Sequence, residues 1–544
     1  MKRLTSGFTY SRISFSHVLF YLSFLGLLAI YPHSAVYAVI PDADDWIGGS
    51  GNWNVAANWN SNPNLPGSAD NAVIDRPTPV VVTHSTGTDS IKGLYNENTL
   101  NVAGGSLSVA NGIYLSYLGA DSTLNLSSSG AIASKEQYVG WNGKGTFVQN
   151  GGTNHVTDVL EIGVNPGGIG AYRLTGGYMT TYDLLLGSAG GVGVFEQTQG
   201  FNDASHAIYL GGASDPASSG QYTFANGLLN IPNGKVHVGQ VGQGVFAMNG
   251  GTMIAEGIVL NAATGTFSSA SGSSGLLIVN ELTGFSAGLT FNGSLAIGHY
   301  QGSASGSYSI SAGRNLNVSR DLTVGLSAPC LVNQTGGTCA VGDRIYIGRN
   351  AGSFGTYELE GGSLTADEIN VGFAGGTGVF LQSGGSNTLS GNLSLGSPTS
   401  ITSSGGYSIS GGSLSVQSGK IKVGQTGPGA FELSGGSVSA GELIVGTNGT
   451  FDWTDGTLTL PAGTPIVNDG AFQVLAGDHS VERIQGGGTT KVTAGSLTAE
   501  SIVQDTLIIG AATGGSAAVP EPGSLALTVS AIFAAMFFAR RRQN

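Results

Sequence analysis

A short phrase returns along the chain: DVLEIG (158–163), DLLLG (183–187), AIYLG (207–211), KVHVG (235–239), SLAIG (294–298), DLTVG (321–325), RIYIG (344–348), EINVG (368–372), NLSLG (392–396), KIKVG (420–424) and ELIVG (442–446). Each copy places apolar residues two apart before a closing residue that is nearly always glycine, as in Leu160/Ile162, Ile369/Val371 and Ile421/Val423. That alternation is the mark of a strand with one buried face. The residue in between is Glu161, Tyr209, His237, Asn370 or Lys422, so the other face meets solvent. The glycine then turns the chain.

A second phrase precedes many of these strands: GTFVQNGG (145–152), GAYRLTGG (170–177), GVFAMNGG (244–251), GTYELEGG (355–362), GVFLQSGG (378–385) and GAFELSGG (429–436). An aromatic residue followed, two on, by Leu, Met or Gln makes another short strand, and a third follows in SLTA (363–366) or SVSA (437–440). Three strands, three turns and a return every 22 to 28 residues describe one coil of a solenoid. The predicted fold is all-β: a right-handed parallel β-helix with coils of about 24 residues, since parallel crossovers strongly prefer that hand. Roughly 15 to 18 coils, rising about 4.8 Å each, are expected. Leucine-rich repeats have comparable periods, but their asparagine ladder and helical segment are absent.

The closing positions 140, 163, 187, 211, 239 and 261, with Asn261 standing in for glycine, recur at 325, 348, 372, 396, 424 and 446. The offset is 185 residues throughout, including at the irregular coils. A block of several coils has therefore been duplicated, and the pattern is lost only at the join around 262–294.

Composition agrees with a turn-rich β protein. Glycine is 92 of 544 residues, charged residues are 10 % and hydrophobic residues 40 %. Collagen is excluded, because no Gly-X-Y period exists and proline is only 16. The formal charge of −13 opposes binding to nucleic acid. Two cysteines, Cys330 and Cys339, are too few for a disulfide scaffold or a four-cysteine zinc site. In an oxidising compartment they are expected to pair and close a local loop, the alternative being two unpaired thiols.

Both ends carry the marks of addresses. Lys2, Arg3 and Arg12 precede the apolar HVLFYLSFLGLLAIY, and AVYA follows at 35–38, so residues 1–38 are expected to be a secretory signal peptide removed after Ala38 by signal peptidase. At the other end Leu525 to Ala539 is an apolar run of fifteen residues, about 22 Å as a helix against about 30 Å of bilayer hydrocarbon. Such a short helix, with Arg540, Arg541 and Arg542 on the cytoplasmic side, suits transient retention in the inner membrane. The order Val519-Pro520-Glu521-Pro522, apolar segment, triple arginine resembles the PEP-CTERM sorting signal of exopolysaccharide-producing Gram-negative bacteria. The resemblance covers only residues 519–544. It implies recognition at Pro-Glu-Pro, cleavage by an exosortase-type protease, and delivery to the cell surface or extracellular matrix.

Residues 39–100 contain Trp46, Trp53 and Trp59, three of only five tryptophans. They are expected to cover the first coil, with a sugar-stacking patch as the functional alternative. This stretch is similar to the Gly-Trp-rich segment that opens many autotransporter-like β-helix passengers. Residues 101–450 hold the regular repeats, and 451–518 the last coils and a Gly/Ala-rich stalk. No catalytic, cofactor or metal site stands out. The eight histidines are scattered, His237 matches Lys422 in the duplicate, and Asp367-Glu368 matches Tyr182-Asp183. The expected function is a non-catalytic structural or adhesive protein of the exopolysaccharide or biofilm matrix, with extracellular polysaccharide as the partner. The alternative is a β-helix polysaccharide lyase or glycoside hydrolase.

Overall fold

A computed structural model describes residues 40–510 apart from 262, 271–274, 284, 286–287 and 299–305. Ala38, the Val519–Pro522 motif, the apolar run 525–539 and Arg540 to Arg542 lie outside the described residues. Among the described residues between Ala43 and Ile509 there are 44 strands in one continuous sheet and one short 3-10 turn, at Ala56–Asn58. Strand pairs with strand in parallel from coil to coil, and the sheet winds into a β-solenoid of about 17 turns of about 24 residues.

The recurring phrase builds the inner wall. In strand Val159–Ile162, Leu160 aligns with Gln137 below and Leu184 above, and Ile162 with Val139 and Leu186. Leu160, Ile162, Leu184 and Leu186, with Ile208, Leu210, Val236 and Val238 on the next two coils, are almost wholly buried. Each such side chain stabilises the fold by roughly 1.5–3 kcal/mol of apolar transfer. The closing glycines Gly140, Gly163, Gly187, Gly211, Gly239, Gly325, Gly348, Gly372, Gly396 and Gly424 all have positive φ. A Cβ at Gly163 would run into the carbonyl of Val192 on the next coil, and one at Gly348 into the carbonyl of Thr377. Asn261 and its counterpart Gly446 both lack a positive φ, so the backbone conformation there does not itself demand glycine.

The second phrase supplies an aromatic column. Phe147, Tyr172, Phe195 and Tyr222 stack in order with centroids 4.5 to 4.8 Å apart, and Phe246 continues the column at 5.4 Å. In the duplicate Tyr357, Phe380, Tyr407, Phe431 and Phe451 stack at 4.6 to 5.2 Å. Phenylalanine and tyrosine alternate for a reason. Each coil that precedes one of these tyrosines carries glutamine at the position two beyond its column residue, as in Phe147/Gln149, Phe195/Gln197, Val332/Gln334 and Phe380/Gln382. The tyrosine on the following coil donates its hydroxyl to that glutamine: Tyr172 to Gln149, Tyr222 to Gln197, Tyr357 to Gln334 and Tyr407 to Gln382, each at 2.6 Å. The glutamine amide in turn donates to two backbone carbonyls, those of Gly200 and Leu228 for Gln197. Asn154, Asn202 and Asn387 donate to the same tyrosine hydroxyls. A polar network is thus threaded through the core with its hydroxyls and glutamines satisfied.

The N-terminal end is closed as expected of a capped solenoid. Trp59 lies edge-on between Trp46 (5.0 Å, 89°) and Trp53 (4.7 Å, 69°), and all three are buried. The Trp59 indole donates to the carbonyl of Trp53, and that of Trp46 to Gly49. At the other end Thr506–Ile509 is exposed along its whole length.

Removing one partner of the core network should cost more than removing both. Tyr222→Phe leaves the Gln197 carbonyl without its donor and the Asn202 amide without its acceptor, and is expected to lower stability by about 1–3 kcal/mol in denaturant unfolding. Adding Gln197→Leu should recover part of that loss, since the Asn202 amide stays unpaired. A double variant less stable than Tyr222→Phe alone would contradict this account of the network.

Candidate functional site

Residues between the buried positions of the recurring phrase form an outward ladder: Tyr95, Tyr114, Tyr138, Glu161, Leu185, Tyr209 and His237 align from coil to coil. Parallel pairing brings like positions within stacking distance, so Tyr95 lies on Tyr114 at 4.8 Å and 6°, and Tyr114 on Tyr138 at 4.9 Å and 20°. The turns beyond these strands deliver two more rings. The first of those coils closes on Ser116, held at φ 64 where most coils have glycine, and the chain then places Tyr117 edge-on to Tyr95 and Tyr114. Trp141 follows Gly140 and stands at 78° to Tyr114 and 82° to Tyr138. All five rings are half-buried.

Carboxylates border this aromatic surface. Tyr138 donates to Glu136 at 2.8 Å, Lys135 pairs with Glu136 at 2.8 Å and lies 3.8 Å from Asp158, and Ser188 donates to Glu161. Burial first, and then Glu161 and Glu136, raise the Tyr138 hydroxyl well above its ordinary range. Burial followed by Tyr95 and Glu136 does the same to Tyr114. Further along, Asp183 meets His206 at 2.7 Å, His206 stacks on Tyr182, and Tyr209 stacks on His237. Burial raises the Asp183 carboxyl and lowers the His237 imidazole.

The duplicate block has a different flank on the same frame. Thr323 replaces Tyr138, Leu326 replaces Trp141, and Tyr346 replaces Glu161, with Arg349 4.4 Å above the Tyr346 ring and Phe373 at 5.1 Å. The coil therefore closes without aromatics at the first two places.

Residues weighed for catalysis are engaged with neighbouring coils. Asp367 accepts from Ser390, and Glu368 accepts from Arg344 and Asn392. One acidic pair escaped the sequence reading: Glu432 and Asp452 are register partners in an outward ladder that runs Ser408, Glu432, Asp452, Gln473 and Lys491. Burial, then Glu432, pushes the Asp452 carboxyl up to about 6. The signal was present in GTFDW (449–453), which repeats GAFEL (429–433). An open groove of about 310 Å³, lined by Leu458, Leu460, Ile466, Val481, Glu482 and Arg483 among others, lies in the last coils. Among the described residues no group of three or more His, Cys, Asp or Glu could hold a metal ion, and no helix is long and apolar enough to cross a membrane.

Cys330 and Cys339 are buried free thiols, so the expected disulfide is not what the structure contains. They lie in successive strands of one coil, Cys330–Gln334 and Thr338–Val341, and the Cys339 thiol is hydrogen-bonded with the Tyr357 hydroxyl. It occupies the network place that Asn154 fills 185 residues earlier. The three N-terminal tryptophans are enclosed and offer no ring to a sugar, whereas Trp141, which the sequence reading did not single out, is partly open. No protein-family model, curated protein or solved structure matches the chain.

Two measurements check this electrostatic picture. The folded-state value of Asp452 lies above its ordinary 3.8, so the folded protein holds this proton more tightly than the unfolded chain. Its contribution favours folding below pH 4 and is lost as pH rises through about 6. Asp452→Asn should therefore raise stability at neutral pH, by at most about 3 kcal/mol, and remove that slope from the pH dependence of unfolding. Burial also raises both thiols to about 12. Neither should react with iodoacetamide at pH 8 in the native protein, and both should react after denaturation.

Proposed function

We propose that this chain is an exported, surface-sorted, non-catalytic adhesive protein of an exopolysaccharide or biofilm matrix, built on a right-handed β-helix. The observation that carries the reading is the half-open aromatic flank of Tyr95, Tyr114, Tyr138, Tyr117 and Trp141, which the coil does not need for closure. Aromatic rings bordered by carboxylates and amides are suited to contact with sugar chains, whose rings combine apolar C–H faces with hydroxyl edges. A repeating frame multiplies weak contacts along a polymer. In this reading signal peptidase removes residues 1–38. The PEP-CTERM-like tail then holds the precursor at the inner membrane until an exosortase-type protease acts at Val519 to Pro522, ahead of Arg540 to Arg542.

One observation favours a second reading, a glycoside hydrolase. Register-paired strands lie about 4.8 Å apart, so Glu432 and Asp452 approach the roughly 5–5.5 Å separation of a retaining carboxylate pair. The raised Asp452 carboxyl would suit an acid, with Glu432 as nucleophile.

Both readings meet in one experiment. Purified protein without its signal and tail is incubated with the producer's exopolysaccharide, and co-sedimentation and new reducing ends are scored together. Binding without cleavage is the expected outcome. Cleavage that disappears in Asp452→Asn would transfer the function to the hydrolase reading. Absence of both, with unchanged adhesion in a strain lacking the protein, would sink the adhesive one.

A further inference from the structure

We infer that Tyr117 and Trp141 form a glycan subsite that takes two adjoining uncharged pyranose rings and discriminates against uronic-acid polymers. The inference rests on the adhesive reading and adds the place of contact and the class of sugar. Both faces of Tyr114 are already taken, by Tyr95 on one side and Tyr138 on the other. Tyr117 and Trp141, at 74° and 78° to it, must therefore meet its edge, and each spends one face on that contact. Both rings are partly exposed, and in this proposal the opposite faces are the ones open to a sugar. Their centroids are 6.0 Å apart and their planes differ by 32°, so they make two neighbouring, slightly inclined platforms. Pyranose rings present C–H faces to such platforms and leave their hydroxyls at the edges.

The polar groups at the border suit those hydroxyls. Asn142, next to Trp141, is exposed, and its amide donates to the carbonyl of Tyr117; Asn165 on the next coil donates to Asn142 at 3.0 Å. The two amides form a short ladder beside the rings. Charge sets the selectivity. Glu136, Asp158, Glu161 and Asp183 lie along this flank, with Lys135 held between Glu136 and Asp158. The excess negative charge repels a polyuronate and leaves an uncharged chain unaffected. Leu326 at the position corresponding to Trp141 shows that the frame tolerates loss of the indole.

Cellohexaose and oligoguluronate of equal length serve as probes. Trp46, Trp53, Trp59 and Trp453 are at most 2 % exposed, so the half-buried Trp141 is the tryptophan whose emission a bound sugar should change. A saturable change with cellohexaose is expected, and oligoguluronate should bind at least about tenfold more weakly. Calorimetry should show a loss of about tenfold or more in Trp141→Leu and in Tyr117→Ala, with circular dichroism unchanged. Equal binding of the uronate would overturn the proposed selectivity. Cellohexaose binding unaltered in both variants, or absent from the wild type, would overturn the subsite. In either case co-sedimentation with the matrix exopolysaccharide would leave the adhesive reading standing, and loss of that as well would remove both.

Discussion

The structure depends on in-register stacking: each coil must set its inner residues over like residues about 4.8 Å below. Hydrophobic contact alone tolerates sliding, because Leu, Ile and Val are nearly interchangeable along the inner wall. The Tyr–Gln contacts are less forgiving. A tyrosine hydroxyl displaced by one coil would face Leu174 or Ile409 in place of Gln149 or Gln382, and a buried hydroxyl without an acceptor costs about 1–3 kcal/mol. The polar thread therefore aligns the column, and the apolar wall supplies most of the stabilisation.

Duplication makes the chain its own control. At an offset of 185 residues the interior repeats closely: Tyr172 and Tyr357, Phe195 and Phe380, Gln197 and Gln382, Asn202 and Asn387. Even a blemish recurs, since the side-chain carbonyls of Asn202 and Asn387 both lack a partner. The outer flank does not repeat, with Tyr138 against Thr323 and Trp141 against Leu326. Residues that stacking requires have been kept in both blocks, and those free to vary have diverged. This contrast separates scaffold from surface without any other protein for comparison.

Most of the coil was legible in the sequence because a strand with one buried face alternates and a left-handed turn selects glycine. Leu160/Ile162 and Gly163 illustrate both, and the solenoid follows from their recurrence. The buried tryptophan cap was legible too, from the position of Trp46, Trp53 and Trp59. The glutamines were visible in GTFVQNGG and GVFLQSGG, but their alternation with tyrosine acquires meaning only once neighbouring coils are superposed. Tyr117 and Trp141 were not legible, because turn residues follow no periodicity and their partners come from other coils. Cys330 and Cys339 were misjudged because nine residues of separation looks like a small loop, whereas the coil sends the two into different strands.

The alternation of tyrosine and glutamine coils also constrains how such a chain can lengthen. Within that column, inserting a single coil would set tyrosine against tyrosine or glutamine against glutamine and strand a buried donor or acceptor. Inserting two would restore every contact. Where tyrosine and glutamine coils alternate, the column therefore has a parity, and the smallest unit that can be gained or lost there without a mismatch is a pair of coils.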